Sequence, residues 1–465
     1  MHRTRFLQFL RSRRLWATCS IGGLAFTLAA GFFDPNLQDF PDPTGAVRTV
    51  STTGSIDTTN PFFQSLGTNG RSCVSCHQPS DAWTVTPPHI QERFAATQGE
   101  DPIFRPVDGA NCPSADVSTE EARRRSYSLL LEKGLIRISL SVPSNAEYEI
   151  THITDPQHCG ETTLTQPAMF RRPLPSTNLD FLATVMWDGR ENAKGQTILQ
   201  DLATQANDAT QGHAQASTPL TASQQAEIVA FETALFTAQS RDDAAGQLNQ
   251  AGANGGPEAV STQPFFLGIN DPLGGNPTNA PFDSNIFNIF DSWASLPSGT
   301  PDREARESVA RGEKLFNTLV IPITGVAGIN DVLNQPVVMG FCGTCHDTPN
   351  SGNHSLSVPL NIGITDFPAL SSLDTRGLPV YTIVCKTTGQ TFRVTDPGRA
   401  LISGKCADIG KTKGPILRGL AARAPYFHNG SGTTLLDVVN FYNQRFNLGL
   451  AEQQKIDLVA FLRSL

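Results

Sequence analysis

Along this 465-residue chain, apolar residues fall into two similar helical signatures separated by segments that alternate. At the carboxy end Leu458, Phe461, Leu462 and Leu465 recur at i, i+3, i+4 and i+7, the spacing of one face of a closing helix, and Arg311-Gly312-Glu313-Lys314-Leu315-Phe316 leads into the same half. Earlier, Thr221-x-x-Gln224 forms a capping box ahead of Ile228, Phe231 and Leu235, which predicts a second closing helix, with Pro61-Phe62-Phe63 as its lead-in. Between the two, Asn249 to Thr278 is rich in Gly, Asn and Pro and lacks helical periodicity, so it reads as a connection. Period-two alternation marks Ile136, Ile138 and Leu140, then Tyr148, Ile150 and His152 across Pro143-Ser144-Asn145, which predicts a hairpin. Tyr381, Ile383 and Cys385, turning at Thr388-Gly389 and returning through Phe392 and Val394, predict another. The pattern reads as a mainly α chain of two helical domains, 50–247 and 283–465, joined by a linker at 248–282 and carrying short β-hairpin insertions.

Each half also contains the pattern Cys-x-x-Cys-His, as Cys73-Val74-Ser75-Cys76-His77 and as Cys342-Gly343-Thr344-Cys345-His346. That spacing suits covalently attached c-type haem, because two thiols must reach two vinyl groups on one edge of the macrocycle while the adjacent imidazole turns under the ring to meet iron. A redox Cys-x-x-Cys or half of a zinc site are the other chemistries open to such a segment. Zinc, however, usually wants a second Cys or His pair at short spacing, and neither segment supplies a clean one. Two covalently bound haem c groups, with His77 and His346 as proximal ligands, are the reading, and the two helical domains become cytochrome-c-like.

The amino terminus names a compartment. Arg3, Arg5, Arg11, Arg13 and Arg14 precede an apolar run from Leu15 to Ala30, and Ala29-Ala30-Gly31 offers small residues for cleavage, so residues 1–31 read as a secretory signal. Haem attachment in bacteria takes place outside the cytoplasm, so a periplasmic location and the haem motifs explain each other. An uncleaved anchor is the alternative, although the run is short for a spanning helix. Removing the five arginine charges of the leader takes the formal net charge from −8 to −13, which speaks against nucleic acid and suits steering of a basic redox protein. No later apolar stretch approaches membrane length, so no stable insertion is expected after cleavage. Setting aside Cys19 and the four motif cysteines leaves Cys112, Cys159, Cys385 and Cys406, an even number that fits an oxidising compartment and local pairing, Cys112 with Cys159 and Cys385 with Cys406.

Three further segments carry a resemblance: Trp187-Asp188-Gly189-Arg190, Asp396-Pro397-Gly398-Arg399, and Leu417-Arg418 followed by Ala424-Pro425-Tyr426-Phe427-His428-Asn429-Gly430. Together with the motifs they resemble bacterial dihaem cytochrome c peroxidases and their MauG-type relatives over nearly the whole chain after the leader, most specifically in its last third. The resemblance implies an active site between two cytochrome-c-like domains. The amino-terminal haem would meet hydrogen peroxide, the carboxy-terminal haem would relay electrons from a small redox protein, and Trp187 would lie between them.

The resemblance also implies a ligand set. Met1, Met169, Met186 and Met339 are the only methionines, so none follows the second motif and a His/Met pair cannot form from that region. Counting fourteen residues from His428, as the family does to its distal ligand, reaches Tyr442, as in the MauG branch. A phenolate there would favour ferric iron, the alternative being a plain core tyrosine. His428 itself reads as a hydrogen-bonding neighbour of the haem. At the first haem, His89 lies twelve residues after His77, roughly where family members carry a removable distal His, or else it belongs to a surface loop with Pro87-Pro88. The family's acid–base Glu is missing, since no Glu occurs between Asn192 and Ala226; Gln205 matches a family glutamine, His213 is the nominee for proton shuttle and Asp208 the reserve. The family's interdomain calcium gains little support, because Arg171-Arg172 and Arg423 stand where ligands would fall. Two other classes remain open beside the peroxidase: a plain dihaem electron carrier, and a dihaem oxygenase or protein-modifying oxidase.

Overall fold

The first closing helix forms where its capping signal places it, and a further capping box at Thr434 opens the helix ahead of the last one. Thr434 and Thr221 each accept a backbone N–H at the third helical position while Asp437 and Gln224 reach back, opening the helices Leu435–Arg445 and Ala222–Thr233. Leu458, Phe461, Leu462 and Leu465 are all buried at the end of the helix Glu452–Arg463, which packs on the lead-in helix Pro301–Thr318. That crossing depends on Gly312: a Cβ there would lie 2.0 Å from the Asp457 carbonyl oxygen and 2.7 Å from the Phe461 Cβ. The computed structural model describes residues 36–465 apart from 161, 193 and 298. The leader proposed for residues 1–31 therefore lies outside the described residues.

The expectation of a mainly α chain is corrected. Helix accounts for 30% and strand for 15%, with ten α-helices and four sheets among the described residues. Two causes account for the difference. First, Leu235 does not continue the helix face of Ile228 and Phe231; it begins the strand Leu235–Asp242, which pairs antiparallel with Gly45–Ser51 in a four-stranded sheet. Second, the expected hairpin across Pro143-Ser144-Asn145 does not close. Ile136–Ser139 pairs instead with Ala168–Arg171, and Tyr148–Thr154 pairs with Val380–Cys385 from the far half of the chain. Alternation fixes which face of a strand is buried but not which strand it meets, and here Tyr148 and Ile150 pack with Tyr381, Ile383 and Val394 in one buried cluster. The second hairpin forms as expected, with Tyr381 opposite Val394 and Ile383 opposite Phe392. The stretch 249–278 is irregular apart from the short helix Pro257–Val260.

Both expected disulfides are present, Cys112–Cys159 and Cys385–Cys406, with Cα separations of 5.3 and 5.9 Å. They close loops of 47 and 21 residues in sequence separation. In the chain-entropy model these are worth about 4 and about 3 kcal/mol. Replacing both cysteines of the first pair by serine should therefore lower the free energy of urea unfolding more than the same change in the second; equal midpoints for the two variants would contradict that ordering.

Two candidate haem cradles sharing a tryptophan

Each Cys-x-x-Cys-His segment folds as one 3₁₀ turn, Cys73–Ser75 and Cys342–Thr344, which sets both cysteines and the following histidine along the wall of a cavity. The four cysteines are unpaired, although the other four described cysteines form disulfides. Burial pushes the Cys342 and Cys345 thiols up to about 12 and raises those of Cys73 and Cys76 as well. Neither motif gathers a zinc set: among the described residues the one group of three or more such ligands is Asp271, Asp347 and His354.

The two imidazoles are prepared in the same way. His77 Nδ1 lies 3.0 Å from the Trp83 carbonyl oxygen and His346 Nδ1 lies 3.0 Å from that of Gly352, each six residues downstream. Donating through Nδ1 leaves the Nε2 lone pair free for a metal. Burial holds both rings neutral, with pKa values lowered to about 4. The first carbonyl is itself anchored by the four-stranded sheet, because Trp83 Nε1 donates to Thr49 Oγ1 at 2.9 Å and Thr49 bonds to Thr237 on the neighbouring strand at 2.8 Å. The two cavities are similar in size, each with about 1500 Å³ of empty space counting the open solvent at its mouth.

Charge completes the fit to haem. Arg172, Arg423 and Lys413 line the first cavity and are buried; both arginines bond to backbone carbonyls, and no carboxylate salt bridge serves any of the three among the described residues. Burial lowers both arginines to about 10 and Lys413 to about 7. Buried cations of this kind call for an anion, and haem carries two propionates. Calcium does not fit the same place, where guanidinium groups stand in place of oxygen donors.

Trp187 and Lys413 line both cavities. The indole Nε1 donates to the Arg172 carbonyl oxygen at 2.8 Å, and the Trp187 carbonyl accepts from Lys413 N at 2.8 Å. His428 meets the indole edge-on at 6.0 Å between centroids, is buried, and among the described residues has neither ring nitrogen in a hydrogen bond, though Nε2 lies 3.5 Å from Asp396. Behind them Arg171 grips Asp396 with two hydrogen bonds, at 2.7 and 3.0 Å, and also Asp188. Gly189 adopts φ +68°, and a Cβ there would lie 2.7 Å from Arg399 Nη1, so the turn after the tryptophan needs its glycine.

The remaining candidates divide. Tyr442 lies in the second cavity with its phenol pKa raised by burial, and the hydroxyl has no hydrogen-bond partner among the described residues. Gln205 and His213 line the first cavity from the helix Ile198–Gly212 and its carboxy-terminal cap, with His213 Nδ1 2.5 Å from Asp108, which also binds Arg71 at 2.5 Å. Asp208 faces solvent on that helix. His89 is not brought to the cavity: it pairs with the buried Asp81 at 2.5 Å on the helix Pro87–Thr97, so the sequence position that suggested a distal ligand leads to a carboxylate instead. Sequence reasoning missed Lys413 and Glu232. Lys413 gave no periodic signal, whereas Glu232 was detectable as a charge one turn after Ile228 on an apolar helix face.

No family model matches the chain. Among curated proteins it is 38% identical over 141 residues to cytochrome-c peroxidase IdrP2 of Denitromonas iodatirespirans, covering 27% of this chain and 36% of that one. It is 31% identical over 190 residues to IdrP1 of the same organism, covering 38% and 44%, and 36% identical over 141 residues to IdrP2 of Pseudomonas sp. (strain SCT), covering 27% and 35%. The chain thus spans well under half the length of the curated relatives it matches. Among solved structures, a MauG-like protein associated with microbial copper homeostasis aligns over 87% of this chain and 86% of its own at 16% identity, with a TM-score of 0.38.

Replacing Arg171 by Met should cost about 3–5 kcal/mol at pH 7, because Asp396 would be left buried without its arginine and Asp188 would keep only Arg190, 3.2 Å away. Their carboxyl pKa values are held below the usual range although burial opposes this, chiefly by Arg171. In the wild type that stabilisation is complete above the ordinary carboxylate pKa and is lost as pH falls through the lower folded value. The variant's deficit should accordingly shrink in acid; a pH-independent deficit in thermal unfolding would contradict the assignment. With the cradles and the sequence relatives side by side, part of this chain is similar to cytochrome-c peroxidases, in keeping with the resemblance that its motifs carry.

Proposed function

We propose that this chain is an exported dihaem c-type cytochrome oxidoreductase of the peroxidase/MauG-like kind. The observation that carries this reading is the pair of cavities, each with two unpaired cysteines and a neutral histidine tied through Nδ1, meeting at one tryptophan. The domains are 50–247, with the peroxide-reactive site, and 283–465, with the electron-entry site, joined at 248–282. The proposed location is the periplasm; no helix among the described residues is long and apolar enough to cross a membrane.

The residues divide the labour as follows. Cys73 and Cys76, with Cys342 and Cys345, would attach the two haems, His77 and His346 would hold iron, and Tyr442 lines the second site. Haem iron supplies the redox chemistry: hydrogen peroxide takes two electrons and two protons to give two waters, the electrons coming from a small redox protein. Arg172, Arg423 and Lys413 hold carboxylates of the bound groups. His213, oriented by Asp108 through Nδ1, keeps Nε2 to move a proton at the first site, and Gln205 stands beside it. Trp187, clamped by its indole and its carbonyl, gives electrons a fixed path between the cavities.

Electron paramagnetic resonance of the ferric holoprotein tests this. One high-spin and one low-spin signal should both diminish when peroxide is added, and in Trp187→Phe the two should no longer respond together. Two low-spin signals indifferent to peroxide would instead make the chain an electron carrier. Response to peroxide with poor turnover of a reducing cytochrome would point to a protein-modifying oxidase.

A further inference from the structure

The loop 268–276 lies against the segment that follows the second cysteine motif. Gly268 N donates to the Ser355 carbonyl at 3.0 Å, and Asn270 Nδ2 to the Asp347 carbonyl at 3.3 Å. This seam brings two buried carboxyl groups together, Asp271 from the loop (3% exposed) and Asp347 from the segment (0%), with His354 (6%) beside them. One ligand atom from each of the three lies within 4.8 Å of the others. Each carboxylate has one oxygen tied to main chain: Asp271 Oδ2 accepts from Leu273 N at 3.1 Å and Gly275 N at 2.6 Å, and Asp347 Oδ1 accepts from Ser355 N at 2.6 Å. The other oxygens, Asp271 Oδ1 and Asp347 Oδ2, are buried with no hydrogen-bond partner, and neither residue pairs with Lys or Arg among the described residues.

His354 adds a third lone pair. Leu356 N donates to its Nδ1 at 3.2 Å, so Nδ1 carries no proton, and it stands 3.6 Å from Asp347 Oδ2. That hydrogen bond is at the long end of the range, and the lone pair it uses weakly is the one a metal takes. A single shared proton would join two of these atoms and leave the third unmet, whereas a cation meets all three.

We propose that Asp271, Asp347 and His354 bind one divalent first-row transition metal ion, which clamps the loop to the segment carrying Gly352. Two carboxylates supply the charge, and the imidazole favours such a metal over calcium or magnesium, which take oxygen ligands. Bonds of about 2.0–2.2 Å set neighbouring ligand atoms a little over 3 Å apart, near the 3.6 Å between Nδ1 and Oδ2. The position gives the ion a task. Asp347 and His354 bracket Gly352, whose carbonyl holds His346 Nδ1, so the ion would fix that carbonyl much as the sheet fixes Trp83. The donor set owes nothing to the haem reading, so the two stand or fall separately.

Zinc is the probe, and the purified full chain is the sample. Metals other than haem iron are counted by inductively coupled plasma mass spectrometry after chelation, and again after loading with zinc and desalting, beside Asp271→Asn and His354→Gln. Wild type should hold about one zinc per chain more than either variant. Each variant's zinc affinity should fall at least about tenfold, and zinc should raise the Tm of wild type alone. Excess calcium should not displace the zinc. Equal zinc in all three proteins, a wild-type Tm indifferent to zinc, or displacement by calcium would each overturn the proposal. The first two results would mean that the carboxyl pair shares a proton instead. Covalent haem absorbance, recorded on the same samples, reports on the haem reading independently.

Discussion

A neutral imidazole held through Nδ1 against a main-chain carbonyl is the constraint on which the rest of this molecule depends. It occurs twice with the same six-residue reach, at His77 to Trp83 and at His346 to Gly352. A histidine buried without that bond could present either nitrogen to a metal; with it, only Nε2 is left. The carbonyls must then be rigid, and the fold supplies this. A four-stranded sheet fixes Trp83 through Thr49, and a turn carrying Gly352 at φ +72° fixes the second. A sheet that lies just behind the cavity wall therefore acts on the site by deciding where one carbonyl oxygen stands.

Charge explains the space between the cavities. Arg171 is surrounded by Asp188 and Asp396 and is fully satisfied, so it works as structure, locking the turn after Trp187 to the segment beside His428. Arg172, Arg423 and Lys413 have no such carboxylate partner among the described residues, and desolvation pulls all three pKa values down. A protein that left these cations without an anion would carry a steep penalty. Their position on the cavity wall and the acidic groups of haem account for each other, while the same cations disfavour calcium.

Much of this was legible in the sequence, and the parts that were not share one cause. The cysteine motifs, the capping box at Thr221, the closing face of Leu458 and Phe461, both disulfides and the inward Tyr442 depend on local spacing, which a sequence displays directly. Strand pairing does not. Tyr148–Thr154 meets Val380–Cys385 across more than two hundred residues, and Gly45–Ser51 meets Leu235–Asp242, so the strand content and the first hairpin were misjudged. For His89 the sequence left a distal ligand and a surface-loop histidine both open, because distance along the chain does not give distance in space; in the fold it pairs with Asp81 outside the lining of the first cavity.

The central claim is that two haems are covalently carried, and intact mass spectrometry under denaturing conditions tests it most directly, on protein made in a host with haem-attachment machinery. The account predicts a red polypeptide heavier than its processed sequence by two haems, falling to one when Cys73 and Cys76 are both replaced by alanine. A product that weighs only what its amino acids weigh, or loses its colour on denaturation, would contradict it.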